Sequence, residues 1–224
     1  MFNEIKPPTK ILVLISGSGS NLQSIIDACN ADKIKGVIVG VISNVPATKG
    51  LERAKKARIP TSVVNHQTFS ERYEFDRQLA KTVDSYYPDL IVLAGFMRIL
   101  SKELVTSYAD KMINIHPSLL PAYPGVNTHQ RAIEAGETYA GATVHFVTSE
   151  LDRGPGILQA KVDIHPEDTA TDLAERVLAK EHIIFPKVIE WVCDGRITLD
   201  NGVVFKDGVS VPHAGLIFSE NTEH

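Results

Sequence analysis

Short apolar runs alternate with amphipathic stretches along the first half of the chain. Runs rich in Val, Ile and Leu predict strands at 10–15, 36–42, 61–64, 90–94 and 112–115. Helical spacing between them predicts helices at 21–30, 47–57, 70–86 and 101–108. Strands that are apolar throughout and separated by helices are typical of a parallel sheet covered on both faces.

The pattern changes in the second half. Residues 143–147 and 157–164 predict two strands joined by a loop, hence an antiparallel pair. A long helix follows from about Thr169, and Pro186 is expected to kink or break it. Asn201-Gly202 predicts a turn between strands at 196–199 and 203–205. We therefore expect one Rossmann-like α/β domain spanning 1–224, with three layers, a mostly parallel sheet, antiparallel C-terminal strands and flexible ends at 1–9 and about 219–224.

Composition and charge limit the function classes that this domain can serve. The 224 residues are 43% hydrophobic and 22% charged, which is ordinary for a globular protein. The net charge of −4 argues against a nucleic-acid partner, because such binding rests on basic patches. No window reaches the roughly 18 apolar residues of a membrane helix, and the first apolar run is shorter than a signal-peptide core of about 7–15 residues. We therefore expect a cytoplasmic protein with no membrane partner.

A glycine-rich turn, SGSGSNL at 16–22, joins the first strand to the first helix. Small residues and backbone amides at a helix N-terminus favour phosphate binding. The third glycine of a dinucleotide fingerprint would fall at Leu22, and Ser43 and Asn44 stand where its acidic residue is expected. The turn also lacks the Gly-Lys-Ser/Thr of a Walker loop, so a monophosphate fits better than NAD or ATP. The alternative is a tight turn in which Ser20 or Asn21 caps the helix.

Asn114 and His116 lie two residues apart at the end of a predicted strand, so their side chains share one face. Open α/β sheets bind ligands at this end of their strands. The pair suits acyl transfer, because an amide and an imidazole can stabilise a developing oxyanion and the imidazole can also move a proton. No Ser or Cys nucleophile has a matching partner, which favours direct transfer to an amine. The alternative for an isolated Asn-x-His is a structural hydrogen bond.

Further polar residues could complete such a site. Asp152 lies in a loop between two predicted strands, where it is either solvated or paired with His116, which would favour the protonated imidazole. Glu181 falls on the apolar stripe of the last long helix, where a carboxylate is costly unless paired. It indicates either an internal salt bridge at the edge of the stripe or a contact with a substrate amine. Arg98 and its apolar neighbours at 93–100 could line a pocket for an aromatic, anionic ligand, or simply begin a helix. No His-Glu-x-x-His is present, and no metal is expected.

Together these motifs resemble those of the folate-dependent formyltransferases, in particular the bacterial single-function type that acts on glycinamide ribonucleotide. The similarity runs from Ile11 to about Leu199 and includes GSNL at 19–22, LAGFMRIL at 93–100, NIHPSLLP at 114–121, YPG at 123–125 and HFVT at 145–148. The sequence at 114–121 with a downstream Leu-Asp is highly specific for folate formyl transfer. The resemblance implies that a formyl group passes from 10-formyltetrahydrofolate, a co-substrate, to the amine of glycinamide ribonucleotide in purine biosynthesis. It leaves open whether the protein is a monomer or a homodimer.

The resemblance also implies roles for matching residues. Asn114, His116 and Asp152 would form the catalytic group. The ribonucleotide would be bound by Gly19, Ser20, Asn21 and Glu181. The folate would be held by Arg72, Met97, Arg98, Ile99, Leu100, Asn114, Thr148, Ser149, Glu150, Leu151 and Asp152. The peptide bond before Pro121 is expected to be cis.

Two positions depart from the family pattern. Asn127 stands where relatives often carry a second histidine before Thr128-His129, which weakens any mechanism that needs a histidine there. Arg153 replaces an expected glycine and leaves the mobility of its loop open.

Rival functions also remain open. A formyltetrahydrofolate hydrolase would use the same Asn, His and Asp with water as acceptor, but usually carries an extra N-terminal domain, for which a first strand near residue 10 leaves no room. An initiator-tRNA formyltransferase would need an RNA-binding domain and basic charge. A non-catalytic phospho-ligand domain would keep the turn at 19–21 without needing the other three side chains.

Overall fold

The computed structural model describes residues 7–219, which fold into helices on both sides of a central sheet. The helices are α1 (Ser20–Asn30), α2 (Lys49–Lys56), α3 (Arg72–Asp84), α4 (Lys102–Ser107), α5 (Thr128–Glu134) and α6 (Ala170–Cys193). The strands are β1 (Thr9–Ile15), β2 (Gly36–Ser43), β3 (Thr61–Val63), β4 (Leu90–Leu93), β5 (Met112–His116), β6 (Tyr139–Phe146), β7 (Gly156–Asp163), β8 (Ile197–Asp200), β9 (Val203–Lys206), β10 (Val209–Ser210) and β11 (Leu216–Ile217). A 3₁₀ turn occupies His66–Thr68.

Eight of these strands form one sheet in the order β11-β7-β6-β5-β4-β1-β2-β3. Neighbours pair in parallel, except that β6 is antiparallel to both β5 and β7. The predicted α/β fold, with a mostly parallel sheet and antiparallel strands in the C-terminal half, is therefore confirmed. Strand β6 is longer than predicted, since it begins at Tyr139 rather than at 143.

Alternate residues of β1 divide the interior into two cores. Ile11, Val13 and Ile15 pack with α1 and α6 on one face of the sheet. Leu12 and Leu14 pack with α3 and α4 on the other. Because successive strand side chains point to opposite faces, a strand apolar at every position must be covered twice, which produces the three predicted layers.

Pro186 was expected to kink or break the last long helix, and the prediction of a break is wrong. Helix α6 runs unbroken for 24 residues with Pro186 inside it. Thr169 begins it with a capping box, in which Thr169 and Asp172 exchange side-chain and backbone hydrogen bonds. Phe185 and Ile189, on either side of the proline, are fully buried. Their packing outweighs the cost of a proline in a helix, about 3 kcal/mol.

The predicted hairpin near the C-terminus is confirmed and extended. Strands β8 and β9 pair antiparallel, and β10 adds a third strand to this separate small sheet. Asn201 and Gly202 both have positive φ, 48° and 79°, as a type I′ turn requires. The predicted flexible ends lie mostly outside the described residues, although Thr9 already belongs to β1. Within residues 7–219, no helix combines the length and apolarity needed to cross a bilayer.

Candidate functional site

A cleft of about 630 Å³ opens beside the residues that follow β1, β4 and β5. Its walls come from the start of α1, the loop after β4, the end of β5 and the loop that follows it, the loop between β6 and β7, and α6. A smaller recess shares Arg98, Asn114 and Asp152 with the cleft and extends to Leu93 and Val105. The volume lies within the range of small-molecule sites, about 300–1,000 Å³. Two recesses therefore meet at Asn114 and Asp152.

Asn114 and His116 are held in place by pairing on both sides of β5. Asn114 lies opposite Leu93 of β4 and opposite His145 of β6. His116 is buried, and its Nε2 lies 3.0 Å from the backbone oxygen of Tyr123, to which it can donate. Both side chains face the cleft, as the two-residue spacing predicts.

His145, which the sequence reasoning missed, fixes the orientation of the Asn114 amide. Burial lowers the pKa of His145 to about 4, so the ring is neutral at pH 7. Its Nδ1 lies 2.9 Å from the backbone oxygen of Phe146 and must donate there. Nε2 is therefore an acceptor, and Asn114 Nδ2 donates to it at 3.1 Å. The second N–H of this amide has no partner within residues 7–219 and is left for a ligand.

Asp152 brings a carboxylate between these two histidines. Its Oδ2 lies 3.5 Å from His116 Nδ1, the predicted contact, and its Oδ1 lies 3.9 Å from His145 Nε2. The backbone N–H of Gly125 also donates to Oδ2 at 2.8 Å. Asp152 has φ 52°, a left-handed conformation that aspartate tolerates better than most residues. The two ring nitrogens of His116 thus differ: Nε2 bonds to Tyr123, whereas the contact of Nδ1 with Asp152 is longer than a typical hydrogen bond, so an N–H on Nδ1 could still be donated to a ligand.

The glycine-rich turn has the backbone conformation that only glycine adopts readily. Gly19 has φ 68°, and a Cβ there would lie 2.6 Å from the Cα of Gly50 in α2. Gly50 N–H donates to the oxygen of Gly17, and Arg53 Nε donates to that of Ser18. Gly19 is the N-cap of α1 and no side chain caps this helix, so the alternative in which Ser20 or Asn21 does so is wrong. Uncapped amides at a helix N-terminus suit a phosphate group.

Glu181 reaches the cleft from α6 and bonds to the first turn of α1. Its Oε2 accepts from Asn21 Nδ2 at 2.6 Å. Burial raises the pKa of Glu181, and the hydrogen bond from Asn21 partly opposes this shift. In residues 7–219, Asn21 Oδ1 is buried without a partner. A buried carboxylate beside a free amide oxygen forms an acceptor pair suited to an amine or amide N–H group of a ligand.

The loop at 95–100 forms the opposite wall and is tied to its neighbours at two points. Ser16 forms two hydrogen bonds with the first half of the loop: the Ser16 N–H donates to the oxygen of Gly95, and the Met97 N–H donates to Ser16 Oγ. Asp76 holds the far end of the loop, because Asp76 Oδ2 accepts a hydrogen bond from the N–H of Ser101 at 2.9 Å.

The two arginines assigned to the folate sit near this loop. The Arg98 guanidinium lies over the ring of Phe75 at 4.8 Å, and Arg98 lines both recesses. Arg72 lies outside the lining of the cleft, and its Nε is 3.9 Å from Asp76 Oδ2.

Most of the residues singled out from sequence converge on the two recesses. The larger cleft is lined by Asn21, Met97, Arg98, Ile99, Asn114, His116, Leu151, Asp152 and Glu181. Leu100, Thr148, Ser149 and Glu150 line the smaller one. Gly19 and Ser20, like Arg72, lie outside the lining of the cleft.

Sequence reasoning also missed His129. This residue lines the cleft, and both burial and nearby His116 lower its pKa. Asn127 lines the cleft as the N-cap of α5 with φ 57°, a conformation that asparagine tolerates. The peptide bond before Pro121 is cis, as expected.

The sequence does contain a pattern from which His145 could have been singled out. Thr143 and His145 are alternating polar residues in an otherwise apolar strand.

Comparisons with known proteins agree with this geometry. A family model described as "Formyl transferase" matches residues 9–189. The phosphoribosylglycinamide formyltransferase of Escherichia coli (strain K12) is 50% identical over 210 residues, which are 94% of this chain and 99% of that protein.

Solved structures show the same similarity. The phosphoribosylglycinamide formyltransferase of Coxiella burnetii, in complex with CHES, has a TM-score of 0.90 at 50% identity and covers 95% of this chain and 100% of its own. A formyltetrahydrofolate deformylase from Pseudomonas syringae is more distant, with a TM-score of 0.82 and 25% identity, over 89% of this chain and 66% of its own.

Proposed function

Because the chain belongs to the formyl transferase family, we propose that it transfers the formyl group of 10-formyltetrahydrofolate to the amine of glycinamide ribonucleotide. The products are formylglycinamide ribonucleotide and tetrahydrofolate, in a step of purine biosynthesis. We also propose that the protein is cytoplasmic, that it acts as a monomer or a homodimer, and that the reaction needs no metal.

One observation carries this proposal. A single cleft joins Asn21 and Glu181, beside the glycine-rich turn, to the cluster of Asn114, His116 and Asp152. The phosphate of a ribonucleotide suits the turn, and an amine suits the carboxylate of Glu181. The smaller recess beyond Arg98 would take the folate. The formyl carbon then lies where the two recesses meet.

The mechanism is direct attack by the acceptor amine on the formyl carbon. The carbonyl oxygen gains negative charge as the tetrahedral intermediate forms, and the free N–H of Asn114 and the imidazole of His116 stabilise it. Asp152 places its carboxylate 3.5 Å from Nδ1 of His116 and thereby holds the imidazole in position. The carbon–nitrogen bond to the folate then breaks, and the proton lost by the amine passes through water to the leaving nitrogen.

His145 and Glu181 support this step without forming a bond to the carbon. His145 orients Asn114. Its unprotonated Nε2 accepts one N–H of the Asn114 amide, so the other N–H of that amide points toward the cleft. Glu181 accepts hydrogen bonds from the acceptor amine or the adjacent amide and directs the amine toward the formyl group.

A spectroscopic assay tests the function. The protein is incubated with 10-formyltetrahydrofolate, with and without glycinamide ribonucleotide, and the deformylated folate is followed over time. We expect turnover only when the ribonucleotide is present. Turnover without it would favour a hydrolase, and no turnover in either case would favour a non-catalytic phospho-ligand domain.

The hydrolase is the second candidate, and the similarity to the deformylase favours it to a limited degree. The same cluster could activate water in place of an amine. The contact between Asn21 and Glu181 argues against a hydrolase, because a reaction with water as the formyl acceptor would not need it.

A further inference from the structure

Ser16 connects two segments that serve different substrates in the proposed function. It is the first residue after β1 and begins the glycine-rich turn that leads to α1. Its N–H donates to the oxygen of Gly95 at 3.1 Å, and its Oγ accepts from the N–H of Met97 at 2.7 Å. One residue of the phosphate turn therefore holds the loop at 95–100 with both its backbone and its side chain.

The loop at 95–100 is buried in the core at Phe96 and Leu100, but the backbone between them has little packing of its own and depends on such bonds. The side chains of Met97 and Ile99 are 70% and 58% exposed. Gly95 has φ 76°, and a Cβ there would meet nothing within 4 Å, so packing does not fix the backbone at that point. Segments with few buried apolar contacts open locally at low free-energy cost.

Asn44 fixes the direction in which the Ser16 hydroxyl points. Ser16 Oγ donates to Asn44 Oδ1 at 2.5 Å, so its lone pairs are left for the N–H of Met97. Asn44 is 2% exposed, and its backbone oxygen accepts from the N–H of His66 at 3.2 Å. Asn44 stands where a dinucleotide-binding fold places its ribose carboxylate. In this chain that position anchors a serine.

We propose that Ser16 is a positioning residue that couples the two substrate sites, so that a ribonucleotide bound at the turn strengthens folate binding and the reverse. This inference rests on the proposed function. A phosphate on the amides at the start of α1 orders the turn, and Ser16 extends that order to Gly95 and Met97. The second ligand then loses less conformational entropy on binding, and linkage makes the effect equal in both directions.

Calorimetry on the intact protein measures this coupling. The dissociation constant of glycinamide ribonucleotide is determined with and without saturating tetrahydrofolate, a pair that cannot react because no formyl group is present. We expect a ratio of at least about 5 in the unaltered protein, the lower end of couplings between sites. In Ser16→Ala the ratio should fall toward 1, and in Ser16→Thr, which keeps the hydroxyl, it should stay above that of Ser16→Ala.

Hydrogen exchange gives a second readout that a loss of overall stability would not reproduce. The ribonucleotide alone should slow exchange of the Met97 amide in the unaltered protein but not in Ser16→Ala. Ser43→Ala is the matched control, because Ser43 ends the neighbouring strand β2 and its hydroxyl bonds within its own loop, where it donates to the oxygen of Val45 and accepts from the Val45 N–H. Should Ser16→Ala not fold, Ser16→Cys, a weak donor and acceptor of similar size, takes its place.

The outcomes separate this inference from the function on which it rests. An unchanged ratio in Ser16→Ala, or a ratio of 1 in the unaltered protein, would overturn the coupling even if turnover is normal. Because the readout is binding, a protein that shows coupling but no turnover would contradict only the proposed function.

Discussion

The two walls of the cleft are built in different ways. The wall with Asn114, His116 and His145 consists of paired strands, and its polar atoms bond to the backbone and to one another. The opposite wall is a loop whose exposed tip is tied down by Ser16 and Asp76. The difference suggests a division of labour, in which the group that needs an accurate geometry stands on the sheet and the surface that receives and releases a ligand stands on the loop.

The largest effect should follow from removing the two proposed oxyanion donors of the rigid wall. Asn114→Ala and His116→Ala should each lower kcat by about 10²–10³-fold, the usual loss for one such donor. The dissociation constant of the ribonucleotide, measured by calorimetry, should stay within about twofold, since both residues lie away from the glycine-rich turn. Near-normal turnover in either variant would refute the assignment.

Glu181→Gln tests the acceptor side with a smaller expected effect. The amide keeps the size and can still accept from Asn21, but loses the charge that an amine requires. Hydrogen bonds to charged groups contribute about 1.5–3 kcal/mol, so KM for the ribonucleotide should rise by about 12- to 160-fold. The KM for 10-formyltetrahydrofolate serves as the internal control, and an equal rise in both constants would argue for a general distortion.

The buried neutral His145 should make stability depend on pH. Its folded pKa, about 4, lies below the value of the free imidazole, so between about pH 4 and 6.5 the unfolded chain binds more protons than the folded one. Stability should therefore rise with pH across this window, by up to about 1.4 kcal/mol per pH unit for one proton. Denaturant unfolding of the protein and of His145→Gln measures it. The variant should show a flatter slope, and parallel slopes would mean that other groups carry the dependence.

The smallest effect is expected at the far anchor of the loop wall. Asp76→Ala removes the acceptor of the Ser101 N–H, and both residues lie outside the lining of the two recesses. Only part of the free energy of this bond, about 0.5–1.5 kcal/mol, should therefore reach ligand binding, so KM for 10-formyltetrahydrofolate should rise by about 2- to 12-fold with kcat little changed. Asp76→Asn keeps an acceptor oxygen and should restore much of the affinity. Glu74→Gln, in the first turn of the same helix and outside the lining of both recesses, is the control. A fall in kcat as large as that of Asn114→Ala would break the contrast between the two walls.

The sequence predicted the sheet well because most strands of the first half are near-continuous apolar runs. It did not predict α5, which has seven residues of which Thr128 and Ala132 are buried, so it carries almost no amphipathic signal. Nor did it predict β11, a two-residue strand whose pairing with β7 joins segments nearly 60 residues apart. The prediction at Pro186 was wrong because the local propensity of proline opposes a helix, whereas the packing of α6 against β6 and β7 favours it.

The candidate site was predictable where chemistry and spacing coincide, as at Asn114 and His116. His145 was not found, because its contact with Asn114 depends on the register of two strands 31 residues apart. Register is a property of the folded sheet, and a single sequence shows only that two polar residues alternate. The same limit applies to Ser16 and Asn44, which look like ordinary turn residues until the strand ends are brought together.

The close approach of Gly19 to Gly50 has a consequence for how this site can evolve or be redesigned. A methyl group at Gly19 would meet the Cα of Gly50 at 2.6 Å, and one at Gly50 would meet Ile15 Cδ1 at 2.4 Å. A side chain at Gly19 would require α1 and α2 to move apart, whereas one at Gly50 would first displace the end of the Ile15 side chain. The backbone of α2 therefore excludes a single substitution at Gly19, and any change of the turn at that residue would require coordinated changes in both helices at once.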